Sequence, residues 1–268
     1  MHKKNINFIR KHVLATPKIL AILFVLSIIS AEASAQNSII DSKTFSFNGR
    51  ATLTTKGIST FPNLTLGKPA AIFDFSAGGE KFRFEPTMRF ELNGKPWTFI
   101  FWLRYELLKT EKFQLKIGGH PAYSFKTITV NDNGSASEVL RVHQYYAGEF
   151  APVFFVAKNV SAGPYYIYAN GASKGATQNS HFISLRVNFS NIQLNENFFL
   201  RLMAQAYYLK MDDKDGTYVN SSISLNRRNF PFTVSSSINK TLNSTIQGDD
   251  FLWNINLTYS FGGKYGRI

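Results

Sequence analysis

FLWNINLTYSF, residues 251–261, decides the fold. Phe251, Trp253, Ile255, Leu257, Tyr259 and Phe261 occupy every second position, with Leu252, Asn254, Asn256, Thr258 and Ser260 between them. Side chains alternate faces along a strand, so one face is an unbroken apolar and aromatic stripe and the other is mostly small and polar. The stretch is eleven residues long, and a tilted strand needs about 9–11 residues to cross a bilayer.

Working outward, the start of the chain reads as an export leader. Lys3, Lys4, Arg10, Lys11 and Lys18 precede an uncharged run from Ile19 to Ala31, and Ala33-Ser34-Ala35 supplies an A-x-A cleavage site before Gln36. The run is shorter than the roughly 20 residues of a spanning helix. No Cys follows the small residues, which excludes the lipoprotein form of export. Removing residues 1–35 from the 268-residue chain leaves 233 residues, with 25 basic against 16 acidic groups and a net charge of +9. The basic residues are scattered singly, with no dense cluster or basic helix, which argues against a nucleic-acid partner. Aromatics make up 15% of the chain, with 25 Phe and 12 Tyr. Lipid-facing stripes and interfacial girdles need that enrichment. The chain has no Cys, so an exported fold must draw its stability elsewhere, and a closed hydrogen-bonded barrel supplies it.

Alternation and turn chemistry predict twelve strands, near 45–55, 70–78, 82–92, 97–108, 112–128, 138–156, 164–171, 181–190, 198–210, 217–227, 230–241 and 250–261. Gly78-Gly79, Asn93-Gly94-Lys95-Pro96, Asp215-Gly216 and Arg228-Asn229-Phe230-Pro231 mark connections. Near Gly163 and Pro164 the alternation loses phase. With both termini on one side, the longer connections, near 56–69, 93–96, 129–137, 172–180, 211–216 and 242–249, fall on the other, as spanning barrels require. The predicted organisation is a leader (1–35), a loose arm (36–44), an all-β transmembrane antiparallel up-and-down barrel of about twelve strands (45–261) and a short tail (262–268).

The charged positions then have one place to go. In the strand near 82–92, Phe82, Phe84, Met88 and Phe90 oppose Arg83, Glu85, Arg89 and Glu91; in the next, Trp97, Phe99, Phe101, Leu103, Tyr105 and Leu107 oppose Thr98, Ile100, Trp102, Arg104 and Glu106. An Arg or Lys on the lipid face costs about 2–4 kcal/mol at the bilayer midplane, so the charged face is the interior. Closing the hairpin with Leu92 opposite Trp97 would set Glu85 against Arg104 and Arg83 against Glu106, with Lys116 near Glu106. Arg141, His143 and Glu149 share an inward face, as do Arg50, Arg186 and Arg201 on their strands. The last three strands instead turn inward Asn220, Ser222, Ser224, Asn226, Thr233, Ser235, Ser237, Asn239, Asn254 and Asn256. The expected lumen is lopsided, with one wall of Arg and Glu and one of small neutral groups.

Sharper chemistry is sparse. There is no His-x-Ser pair; His120 and Ser124 lie four apart on one face, too far for direct contact along an extended strand. Asp212, Asp213, Asp215 and Gly216 cluster in a turn without the closing Glu of a Ca²⁺ loop. No P-loop, dinucleotide fingerprint or metal-ligand spacing occurs. The expectation is no catalysis, no metal and no cofactor.

Residues 251–261 also resemble the C-terminal signature of Gram-negative outer-membrane β-barrels, whose closing strand ends on Phe, with Tyr two residues earlier and apolar residues at alternate positions before it. Phe261, Tyr259, Leu257, Ile255 and Trp253 match, while Gly262 to Ile268 extend past the point where that family usually stops. The resemblance implies an outer-membrane location among lipid and lipopolysaccharide, and engagement of the barrel-assembly machinery by the last strand. The functional expectation is a passive, porin-like channel for small polar or anionic solutes. The alternatives are a non-conducting structural or interaction barrel of an envelope assembly and, third, a lipid-acting enzyme. A soluble barrel would bury the apolar stripe and force the Arg and Glu ladder outward, which disfavours it.

Overall fold

The structure, a computed structural model, describes residues 44–132 and 135–265. The leader 1–35, arm residues 36–43 and tail residues 266–268 lie outside the described residues. Twelve antiparallel strands form one closed barrel. They are β1 (Phe45–Thr54), β2 (Ala70–Gly78), β3 (Phe82–Glu91), β4 (Pro96–Lys109), β5 (Phe113–Asp132), β6 (Ser135–Ala157), β7 (Val160–Gly171), β8 (Asn179–Gln193), β9 (Phe198–Met211), β10 (Lys214–Arg227), β11 (Phe232–Ser244) and β12 (Phe251–Tyr265). Each pairs with its neighbours in sequence, and β12 closes onto β1 with Phe45 opposite Tyr265 and Thr54 opposite Asn256. Closure leaves no sheet edge, so the ladder satisfies the backbone without water.

The stripe that decides the fold faces out. Phe251, Trp253, Ile255, Leu257, Tyr259 and Phe261 are all exposed, while Leu252 and Asn254 between them are buried in the interior. Aromatic rings form a belt near the end where β1 begins and β12 ends: Phe75, Phe261, Tyr259, Phe232 and Phe230 follow one another at centroid distances of 6.4, 6.0, 5.1 and 5.5 Å. A second row, Phe73, Phe90, Phe99 and Phe125, runs across β2 to β5 at 6.1, 5.2 and 4.9 Å. An apolar exterior, aromatic rows and a polar interior are the arrangement of an outer-membrane-type barrel. At the closing seam Gly49 lies opposite Phe261. A Cβ there would fall 2.3 Å from the Phe261 ring, so the glycine lets that ring lie flat across β1.

Four segments depart from the sequence reading. Residues 262–265 are not a tail: they continue β12 and pair with residues 45–48. Gly262, at φ +139, makes the close approach to Phe47 O that this requires. Second, β7 begins at Val160 rather than 164. Its pairing with β6 breaks between Phe150–Tyr166 and Phe154–Ala162, where Pro152 and Pro164 supply no N–H to the ladder. Third, β5 and β6 run past the expected connection. Residues 125–132 and 135–142 pair only with each other and stand beyond the last β4 and β7 partners, Ser124 and Tyr145. Fourth, the β1–β2 connection does not stay outside the barrel. It folds into the lumen through a single 3-10 turn, Pro62–Leu64, which places Phe61 against the interior face of β8.

Candidate functional site

The inward faces of β2 to β9 carry one continuous polar girdle. Arg83 Nε donates to Ser76 Oγ at 2.9 Å, and Ser76 in turn donates to Glu85 Oε1 at 2.9 Å. Glu85 Oε2 meets Arg104 Nη1 at 2.5 Å. The other side of the same guanidinium reaches Glu149, with Nε to Oε1 at 2.5 Å and Nη2 to Oε2 at 3.2 Å. Tyr165 donates its hydroxyl to Glu149 Oε2 at 2.5 Å. Arg186 lies 3.6 Å from the Tyr165 ring centroid and donates to Gln205 Oε1 at 2.9 Å. Arg104 also stacks over Trp102 at 4.2 Å. One guanidinium shared by two carboxylates, one of them bidentate, is a geometry Lys could not reproduce.

The bridge from Arg104 to Glu149 crosses a strand, and Gly118 makes that possible. Arg104, Gly118 and Glu149 are successive cross-strand partners on β4, β5 and β6. A Cβ at Gly118 would fall 2.9 Å from Glu149 Oε1 and 3.1 Å from Arg104 Cγ. A glycine inside a strand marks such an approach, and Gly118-Gly119 was the available cue.

The expected hairpin register is corrected. Arg83, not Glu85, stands opposite Arg104, and Glu85 stands opposite Trp102. The turn closes with Phe90 opposite Pro96 and Arg89 opposite Thr98, which leaves Trp97 as the extra residue of a bulge. Glu85 therefore reaches Arg104 diagonally. The same bulge turns Trp97 out of the lipid-facing stripe where alternation put it. Its indole is 4% exposed, donates to Leu64 O at 2.8 Å and stacks 5.2 Å from Arg89. Glu106 does lie opposite Lys116, yet its carboxylate accepts from Gln114 and sits 3.9 Å from Lys109 Nζ.

The remaining charged candidates scatter. Arg50 pairs with Asp74 at 3.3 Å near the terminal end. Glu91 meets Lys68 at 3.9 Å beside the β1–β2 connection. Arg141 is not between the barrel walls: it lies opposite Lys126 on the protruding β5–β6 hairpin and is exposed. His143 is the partner of Ser124, where that hairpin leaves the barrel. Arg201 is exposed, 5.3 Å from the Phe199 ring. Asp212, from the acidic turn, accepts from the backbone N–H groups of Gln178 and Asn179 at 2.8–3.1 Å, so it ties two connections together. Among the described residues no cluster of His, Asp and Glu has the spacing of a metal site.

The opposite wall is neutral and self-contained. Asn226 accepts from Thr233 at 3.1 Å, Asn256 donates to Ser235 at 3.2 Å, and Asn239 accepts from the Tyr207 hydroxyl at 2.9 Å. Toward the far end this wall becomes aromatic. Tyr207 stacks on Tyr218 at 4.8 Å and packs on Phe182 at 5.0 Å, and Phe61 covers Phe182 at 6.0 Å. Leu209, Met211 and Ile246 complete this stopper.

Three cavities surround the girdle. One of about 240 Å³ lies under the β1–β2 connection, between Phe61, Trp102 and Phe182. A second, of about 500 Å³, lies between Lys116, Glu149, Asn188 and Asn220. A third, of about 290 Å³, lies by Arg50, Asp74 and Glu85. Arg104 lines all three, and Thr60 of the connection lines the first two. Sequence reasoning missed Ser76, Gly118, Tyr165 and Gln205, and it did not place the connection inside.

No family model matches the chain, and no curated protein is similar to it. Solved structures similar to it include LpxR from Salmonella typhimurium, 10% identical over 80% of this chain and 99% of that one, with a TM-score of 0.45. The NanC porin is 12% identical over 83% and 100%, with a TM-score of 0.44. In-vitro folded OmpT, an outer membrane protein of Vibrio cholerae, is 10% identical over 82% and 100% in its trimer form, with a TM-score of 0.42. At these values the likenesses bear on none of the lumen's chemistry.

Proposed function

We propose that the chain is a narrow outer-membrane channel for small polar or anionic solutes, held shut at its far end by its own β1–β2 connection. The observation that carries this reading is the unfilled interior. Eight-stranded barrels are packed solid by side chains, and sixteen-stranded ones leave an aqueous pore. Here twelve strands keep three cavities of about 240 to 500 Å³ around a single girdle, and a water molecule takes only about 30 Å³. Small Ser and Asn side chains on β10 to β12 leave that room. Arg83, Arg104, Arg186 and Lys116 give the opposite wall its field, partly offset by Glu85 and Glu149.

The aromatic stopper favours a second reading, a non-conducting structural or interaction barrel. Its seal would be permanent, and function would lie in the protruding β5–β6 hairpin and the other far-end connections.

The two readings separate in a planar bilayer. The refolded barrel is expected to give discrete salt-dependent steps with an anion-directed reversal potential, reduced or inverted by Arg104→Gln. A folded barrel with no steps under any voltage would favour the non-conducting reading.

A further inference from the structure

The cavity under the β1–β2 connection has a composition that the girdle does not explain. Its wall includes three guanidinium groups, Arg89, Arg104 and Arg186, and no carboxylate. Two of the three are committed, Arg104 to Glu85 and Glu149, and Arg186 to Gln205 and the Tyr165 ring. Arg89 is not. Its Nε is buried without a hydrogen-bond partner, and among the described residues it makes no ion pair. Asp74, on the neighbouring strand, is already engaged by Arg50 and by Thr87 at 2.8 Å.

Two further buried polar atoms in the same wall lack partners: Thr98 Oγ1, on a side chain 6% exposed, and His120 Nδ1. Thr98 is the direct cross-strand partner of Arg89. A buried donor left unmade is costly, and a buried guanidinium without a counter-charge is more so. Arg89 and Thr98 thus set two unmet polar atoms side by side in a wall that is otherwise mixed, with Phe61, Ile100 and Phe182 apolar and Ser59, Ser124 and Ser180 polar.

We propose that this cavity binds a small organic monocarboxylate, with its carboxylate at the Arg89 guanidinium beside Thr98 and its apolar body against Phe61, Ile100 and Phe182. One uncommitted positive charge suits a monoanion, while a phosphate dianion would need a second free cation. A volume of about 240 Å³ falls below the roughly 300–1,000 Å³ of drug-sized sites, so the ligand is small. The inference deepens the channel reading by naming a solute class, and it rests on that reading only for the route by which the ligand arrives.

Benzoate is the probe, with benzamide as its neutral isostere and inorganic phosphate as the competing anion. All three are titrated calorimetrically into the refolded, detergent-solubilised barrel. Benzoate is expected to bind at least tenfold more tightly than benzamide and than phosphate. Arg89→Gln is expected to weaken benzoate at least tenfold, and to make the empty barrel no less resistant to denaturant, since it removes an uncompensated charge. Thr98→Val is expected to keep the fold and weaken benzoate several-fold. Equal binding of benzoate and benzamide, tighter binding of phosphate, or unchanged benzoate affinity in folded Arg89→Gln would overturn the proposal. Should that variant not refold, unchanged affinity in Thr98→Val would do so. A barrel that conducts but binds no benzoate removes the site and leaves the channel; one that binds benzoate but never conducts does the reverse.

Discussion

The two walls of the lumen solve the same problem in different ways. On β10 to β12 the inward polar groups are small, and several find partners on the adjacent strand, as Asn226 does with Thr233 and Asn256 with Ser235. On β3 to β8 the inward groups are charged, and Arg104 must reach β3 on one side and β6 on the other to be neutralised. Local pairing makes the neutral wall tolerant. Long-range pairing makes the charged wall dependent on every member, including a glycine that contributes only the absence of a side chain.

The largest expected effect breaks the charged wall. Glu149→Leu leaves Arg104 with one carboxylate and Tyr165 without an acceptor, in a site where the Glu149 side chain is 2% exposed. Removing one partner of a buried pair costs about 3–5 kcal/mol, to be read as a lower denaturant midpoint in lipid vesicles. Gly118→Val is expected to fall in the same direction, because its side chain would occupy the Arg104–Glu149 contact. On the neutral wall Asn239→Leu removes the acceptor of the buried Tyr207 hydroxyl. A single unsatisfied neutral group costs about 1–3 kcal/mol by the same measurement. Ser222→Ala is expected to stay within about 0.5 kcal/mol. If the Asn239 variant lost as much stability as the Glu149 variant, the contrast between the walls would fail. Ser222→Glu sharpens the contrast functionally: a carboxylate on the neutral wall is expected to move the reversal potential toward cations with little loss of stability.

The barrel was legible because a spanning strand writes its period into the sequence. The stripe at residues 251–261 and the charged ladder at 83–91 each had only one face that lipid would accept, and all twelve strands follow from that rule. Registers were less legible. Closure at Phe90–Pro96 instead of Leu92–Trp97, with one extra residue at Trp97, set Glu85 opposite Trp102 and not Arg104, and alternation announces neither the closing pair nor a bulge. Pro164 hid Tyr165 by breaking the phase of its strand. The inward fold of the β1–β2 connection left no periodic trace. Its cues were compositional, with Phe61, Leu64 and Leu66 in a segment otherwise expected to face solvent.

In the proposed channel this connection, and not the barrel itself, closes the lumen. Trp97 holds Leu64 O at 2.8 Å and Phe61 stacks on Phe182 at 6.0 Å. The most direct test is single-channel conductance of the parent barrel beside one in which residues 58–66 are replaced by a short Gly-Ser linker. The account expects brief or rare steps in the parent and larger, long-lived, anion-selective steps once the connection is shortened. A shortened barrel that refolds fully and still passes no current would contradict it, placing the seal in the aromatic stopper of β7 to β10 and favouring a barrel that does not conduct.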